Sequence, residues 1–158
     1  MKIGNIKIEK IHENRANKCA LGGGNIVNVK QLLNDETRDY ILIIKEAGKF
    51  YRAYDIDALI INMLIGYQVT MGPKIGFPDN ALSKVINRLE ENKISYRVIK
   101  KGQIEKEYSY KKLNQYAKFV NVARKTADLN DRLDLIVKKI KKADEEKISK
   151  IIDYLENV

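Results

Sequence analysis

Apolar residues change their spacing several times along the 158-residue chain, and each change marks a predicted element. Between Lys2 and Ile11 apolar and polar side chains partly alternate, which suits an edge strand. From Asn14 to Asn28 the chain is polar, with Gly22-Gly23-Gly24 at its centre, and reads as a flexible connection before a short helix around Val29–Leu33. The continuous β-branched run Tyr40–Ile44 predicts a buried strand that ends at Ala47-Gly48. Ile56, Leu59, Ile60, Met63 and Leu64 then fall on one helical face, and Gly66 marks its stop. Tyr67–Met71 resumes strand character, while Gly72–Pro78 reads as a turn-rich connection. A helix capped by Asp79 or Asn80 follows; it carries Leu82, Val85, Ile86 and Leu89 on one face, and Asn92 suits a left-handed cap. Ser95–Lys100 is a further strand, which Lys101-Gly102 turns into Gln103–Tyr108.

This order of strands and helices implies an α/β (α+β) domain, a sheet with helices packed on it. Its expected span is residues 1–110. Beyond about Tyr110 there is neither Gly nor Pro, and helical spacing continues to the end. Leu113, Tyr116, Ala117 and Val120 form one stripe, Leu129, Leu133, Ile136, Val137 and Ile140 a second, and Ile148, Ile151, Ile152 and Leu155 a third, with Asp144 marking a new helix start. Residues 111–158 are thus expected to be a helical extension, and its stripes must be buried on the sheet, on each other or on another chain.

Charge changes the picture. Thirty Lys and Arg against 21 Asp and Glu give a net charge of +9, which draws the protein towards polyanions. Ten of the cations lie between Lys93 and Lys125, opposed there only by Glu105 and Glu107, and Tyr96, Tyr108, Tyr110, Tyr116 and Phe119 are interleaved with them. Phosphate neutralisation and base stacking suit such a segment; so does a solvated lysine face whose aromatic rings pack inward.

Catalytic patterns are scarce. A lone cysteine, Cys19, and a lone histidine, His12, exclude an internal disulfide and a four-ligand zinc site within one chain. Gly22-Gly23-Gly24-Asn25 lacks the Lys-Ser or Lys-Thr of a phosphate loop. Asp55 and Asp57 offer paired carboxylates for metal-dependent cleavage, but their place at a helix start favours a simpler role opposite the helix dipole. No catalytic residue, metal site or cofactor is expected. With no apolar run long enough to span a membrane and no signal-peptide pattern, a cytoplasmic location is the expectation.

Gly48-Lys49-Phe50-Tyr51-Arg52-Ala53-Tyr54 joins the first strong strand to the first strong helix. An exposed ring there, held between Lys49 and Arg52, has the makeup of a minor-groove wedge, while the plainer reading lets Phe50 or Tyr51 begin the core. This block, followed by Asp57-Ala58, resembles the N-terminal mismatch-recognition domain of the MutS family. A second block agrees: Gly76-Phe77-Pro78-Asp79-Asn80-Ala81-Leu82, Ile86-Asn87-Arg88-Leu89 and Tyr96-Arg97-Val98-Ile99. The similarity is clearest over residues 40–103.

The resemblance implies a mixed β-sheet flanked by helices, and a Phe-x-Glu motif whose Phe wedges beside a mispaired base while the Glu hydrogen-bonds it. Phe50 takes the wedge position. Arg52 stands where the Glu belongs, which favours phosphate contact over base-edge reading. The expected nucleic-acid contacts are Lys49, Phe50, Tyr51, Arg52, Lys74, Phe77, Arg97, Lys100 and Lys101, with duplex or distorted DNA as the partner. An adaptor that uses the same fold and its C-terminal helices for protein contacts or self-association is the alternative.

Overall fold

The computed structural model describes residues 26–158. The strand expected at Lys2–Ile11, the glycines at 22–24, His12 and Cys19 lie outside the described residues. The elements run α1 (Val29–Leu33), β1 (Ile41–Lys45), β2 (Phe50–Tyr54), α2 (Asp55–Ile65), β3 (Lys74–Pro78), α3 (Leu82–Glu91), β4 (Tyr96–Lys100), β5 (Gln103–Tyr108), α4 (Tyr116–Lys141) and α5 (Glu145–Glu156), with single 3₁₀ turns at Asp79–Ala81 and Lys111–Leu113. The strands make one mixed sheet in the order β3-β2-β1-β4-β5, in which β1 and β4 are parallel and the other neighbours antiparallel. The expected α/β sheet flanked by helices, with a helical C-terminal extension, is what the chain forms.

β1 is central and buried at all five positions, Ile41–Ile44 as their unbroken apolar run requires and Lys45 in its ion pair with Asp79. Its alternate residues divide the core. Ile41 and Ile43 join Tyr51, Ala53, Ile75, Phe77, Tyr96 and Val98 beneath α2, α3 and the start of α4. Leu42 and Ile44 join Ile99 on the opposite face, where Val27, Val29, Leu32 and Leu33 pack over them from the α1 segment. Asn28 caps α1 by accepting from the Gln31 amide at 3.1 Å.

Several elements depart from the sequence expectation. Phe50–Tyr54 is a strand in its own right, paired with Lys74–Pro78, the segment expected to be a turn. In the expected strand Tyr67–Met71 only Thr70 makes a bridge, to Lys74. Pro78 is tolerated because β3 lies at the sheet edge. α2 has the expected period with its phase shifted, since Asp57, Ala58, Ile60 and Ile61 are buried and Met63 is exposed. The shift follows from bonds that draw Asp57 inward. In α3, Val85, Ile86 and Leu89 are buried as expected, although neither Asp79 nor Asn80 supplies a side-chain cap.

The left-handed residue after α3 is Lys93, at φ 53°, rather than Asn92. The Lys93 amide donates to Glu90 O at 3.0 Å and the Ile94 amide to Leu89 O at 2.9 Å, while Leu89 and Ile94 are both fully buried. This paired bonding with its apolar contact fixes the left-handed residue one position beyond the asparagine. Lys101 and Gly102, both at positive φ, close the β4–β5 hairpin as expected.

The first two stripes of the extension merge into one 26-residue helix, α4. Tyr116 and Ala123 enter the core, with Phe119 and Val120 packed against it, whereas Leu113 and Ala117 are exposed. Asp144 caps α5 by accepting from the Lys147 amide at 3.0 Å, as its position suggested. Among the described residues, no helix is long and apolar enough to cross a membrane.

Candidate nucleic-acid interface

β2 alternates its side chains between two faces, so Tyr51 and Ala53 are buried while Phe50 and Arg52 stand outside. The turn Glu46–Lys49, with Gly48 at φ 79°, brings the chain back from β1 and sets Lys49 directly before Phe50. Across the edge hairpin Phe50 pairs with Pro78, Arg52 with Gly76 and Tyr54 with Lys74. Phe50 is 52% exposed. Gly76 has no side chain to flank Arg52, and a methyl group placed there would meet only the Tyr51 carbonyl oxygen at 3.8 Å. The outer face of β2–β3 thus presents a ring and a guanidinium two residues apart, roughly 7 Å along the strand.

Tyr51 and Phe77 take the opposite role from the one expected of them. They are 3% and 1% exposed, with their rings stacked at a centroid distance of 6.1 Å, and Tyr67 lies beside Phe77. The Tyr51 hydroxyl donates to Glu105 Oε2 at 2.6 Å, and Lys45 Nζ, bonded to both oxygens of Asp79, sits 5.2 Å above the ring. Burial, together with the Glu105 carboxylate, holds the Tyr51 phenol far above its ordinary range. These contacts turn both rings inward and leave Phe50 as the exposed ring of the hairpin.

The remaining expected cations fall into two groups. β2 runs against β1 and β4 runs with it, so Phe50 and Lys100 come to the same end of the sheet. Lys100 and Lys101 therefore lie at the Phe50 end, two strands away, about 10 Å across. Lys100 Nζ is 3.1 Å from Glu105 Oε1, while Lys101 is exposed in its turn. Lys74 and Arg97 lie towards the other end of the sheet. Arg97 is half-buried and engaged: its Nε donates to Glu107 at 2.9 Å, its Nη1 to the Tyr40 hydroxyl at 3.1 Å, and its guanidinium stacks over the Tyr40 ring. The structure thus brings together Lys49, Phe50 and Arg52, with Lys74 on the same face opposite Tyr54; Lys101 lies at the Phe50 end, Lys100 turns to the opposite face, where it meets the Glu105 carboxylate that also takes the Tyr51 hydroxyl, and Arg97 stands apart. Tyr54 shares the face of Phe50 and Arg52, as the alternation of residues 50–54 requires, but its ring packs partly buried beside Leu42, Ile44 and Ile99.

Asp55 and Asp57 do not converge. Asp55 opens α2 in a left-handed conformation at φ 51° and is exposed. Asp57 is buried, and its carboxylate accepts from Arg38 Nη1, from the Leu42 amide at 2.9 Å and from the Tyr116 hydroxyl at 2.9 Å. Burial pushes this carboxyl upward; the Arg38 guanidinium and the other two donors oppose the shift. Both oxygens are engaged within the fold, so the pair does not suit metal-dependent cleavage. Among the described residues, no group of three or more His, Cys, Asp or Glu side chains is placed to hold a metal ion.

Compared with known families, residues 28–126 match the family model described as MutS domain I, a span covering the whole sheet and the first turns of α4. No curated protein matches the chain.

Proposed function

Because the chain belongs to the MutS domain I family, a domain type that recognises mismatched DNA, we propose that it binds distorted duplex DNA through the outer face of the β2–β3 hairpin. The observation that carries this reading is the outward placement of Phe50 and Arg52 on one strand, beside the bare backbone of Gly76. A ring inserted between base pairs costs a few kcal/mol of unstacking on a sound duplex and less where a mispair has already weakened the stack. Phe50 supplies the wedge. Arg52, Lys49 and Lys74, with Lys101 at the Phe50 end of the sheet, supply cations for the phosphates on either side.

With Arg52 two residues along β2 from Phe50, no carboxylate stands at that position to accept from a mispaired base. Discrimination then rests on how readily the DNA bends and opens rather than on base edges. Mismatches, bulges and nicks are preferred as a class, and their sequence matters little. Binding of this kind needs no catalytic residue and no cofactor.

Fluorescence anisotropy with matched duplex, mismatched duplex, single-stranded DNA and RNA at several salt concentrations tests this. The mismatched duplex is expected to bind tightest, with affinity falling steeply as salt rises. Phe50→Ala should remove the preference for the mismatch without lowering the melting temperature. Arg52→Ala should flatten the plot of log affinity against log salt by about 0.9, the share of one phosphate. Equal affinity for all four ligands, or Phe50→Ala binding as the unaltered protein does, would overturn the proposal.

A further inference from the structure

α4 carries two apolar stripes that point in different directions. Tyr116, Ala123 and Ala127 face the sheet domain, with Tyr116 and Ala123 in its core. Leu129, Leu133, Ile136 and Ile140 follow at spacings of four, three and four, the seam of a helix that packs lengthwise on another helix. At 3.6 residues per turn this seam is rotated by about 120° from the first stripe, so the chain's own sheet domain lies on the wrong side to cover it. α5 scarcely touches α4, and it too carries an open stripe. Leu129, Leu133, Ile136 and Val137 on α4, with Ile152 and Leu155 on α5, are each 45–65% exposed. Together they amount to about 600 Å² of apolar surface per copy, against the ~800 Å² that each partner gives to a stable interface of standard size.

Charge says what fits there. One flank of the α4 seam is basic along its length, with Lys125, Arg132 and Lys139 at seven-residue intervals, and from Arg124 to Lys142 the helix has seven cations against three carboxylates. α5 is the reverse: from Asp144 to Glu156 it has five carboxylates against two lysines, and Glu145 and Glu156 border its apolar stripe. Among the described residues, neither Arg132 nor Lys139 has an ion-pair partner. An α4 paired with a second α4 in antiparallel fashion would set these basic flanks against each other, whereas an acidic apolar helix matches them. We propose that two copies of the chain associate through their C-terminal helices, α5 of each lying along the α4 seam of the other. The exchange is reciprocal, so a two-fold axis relates two equal contacts and the assembly closes at a dimer. The apolar stripes form the middle of each contact and the opposed charges its rim.

Sedimentation equilibrium of the full chain tests this, with circular dichroism to verify that each variant folds. The expected mass is twice the 18.2 kDa of one chain. Leu133→Glu and Ile152→Glu alter exposed side chains on different helices, and each should weaken dimerisation at least tenfold while leaving the helical signal in place. Reversing the α4 flank with Arg132→Glu and Lys139→Glu should also weaken it, and adding Glu145→Lys and Glu156→Lys should restore it. A monomer at 100 µM would overturn the proposal, as would a dimer indifferent to both seam variants. Dimerisation lost in Leu133→Glu but intact in Ile152→Glu would assign the contact to two α4 seams and remove α5 from it. Loss of dimerisation in the four-charge variant as complete as in the two-charge variant would remove the charge pairing.

Discussion

Asp57 ties four parts of the chain to one carboxylate: Arg38 from the segment before β1, the Leu42 amide from β1, its own helix α2, and Tyr116 from α4. Asp57→Ala would leave the Arg38 guanidinium buried without its counter-charge. Urea denaturation is therefore expected to show a loss of about 3–5 kcal/mol, the range found when one partner of a buried pair is removed. Phe77→Ala should cost a similar ~3–5 kcal/mol by emptying the space between Tyr51 and Tyr67. Phe50→Ala, on the outer face of the same hairpin, should change stability little, so the two melting curves separate core from surface. The family resemblance gave Phe50 the wedge position and named Tyr51 and Phe77 as contacts beside it, whereas the residues alone let Phe50 or Tyr51 begin the core. Nothing in residue type distinguishes them, because aromatic rings serve cores and interfaces alike. What separates them is the parity of β2 and β3, which cannot be assigned before both are known to be strands.

That parity belongs to the scale of elements, where the legible and illegible parts have clear causes. β1, α3, β4 and β5 announce themselves through unbroken β-branched runs, a regular helical period or a Gly turn. β2 and β3 do not, since Phe50–Tyr54 runs straight into α2 and Lys74–Pro78 follows one proline and ends on another. Their strand character comes from pairing with each other and with β1, a long-range effect that outweighs local turn chemistry. The phase of α2 was hidden for a related reason: a carboxylate counts as polar until its buried partners are known. The cap after α3 turned on a single residue. Asn92 has the chemistry for a left-handed position, but the bonds from Lys93 and Ile94 place it one residue later, where a lysine is strained. Lys93→Gly should relieve that strain and raise stability by about 1 kcal/mol, measured by thermal or urea unfolding.

For the molecule as a whole, alkaline pH is the expected weakness. Tyr51 donates to Glu105, Tyr96 to Glu90 at 2.6 Å and Tyr116 to Asp57. Burial, reinforced by these carboxylates, holds all three phenols well above their ordinary 10, and burial alongside Glu90 pushes Tyr110 up to about 12. Below pH 10 the folded and unfolded chains keep these protons equally. Above it the unfolded chain releases protons that the folded chain retains, so stability falls as pH rises. For each of the three buried phenols the slope approaches 1.4 kcal/mol per unit, roughly. Denaturation at pH 9 and pH 11 should show the drop, and the 295 nm absorbance of the folded protein should lack these phenolates until it unfolds. The central position of β1 carries a consequence for synthesis. Emerging first among the described strands, it pairs at once with β2 on one side, but its other edge waits for β4, whose first paired residue, Tyr96, lies far downstream of Lys45. At 5–20 residues per second, roughly 3–10 s of translation must pass before that edge is covered. Throughout that interval the ribosome holds out an open strand with four consecutive apolar residues, Ile41–Ile44, so the nascent chain should be a client for chaperones that shield apolar segments.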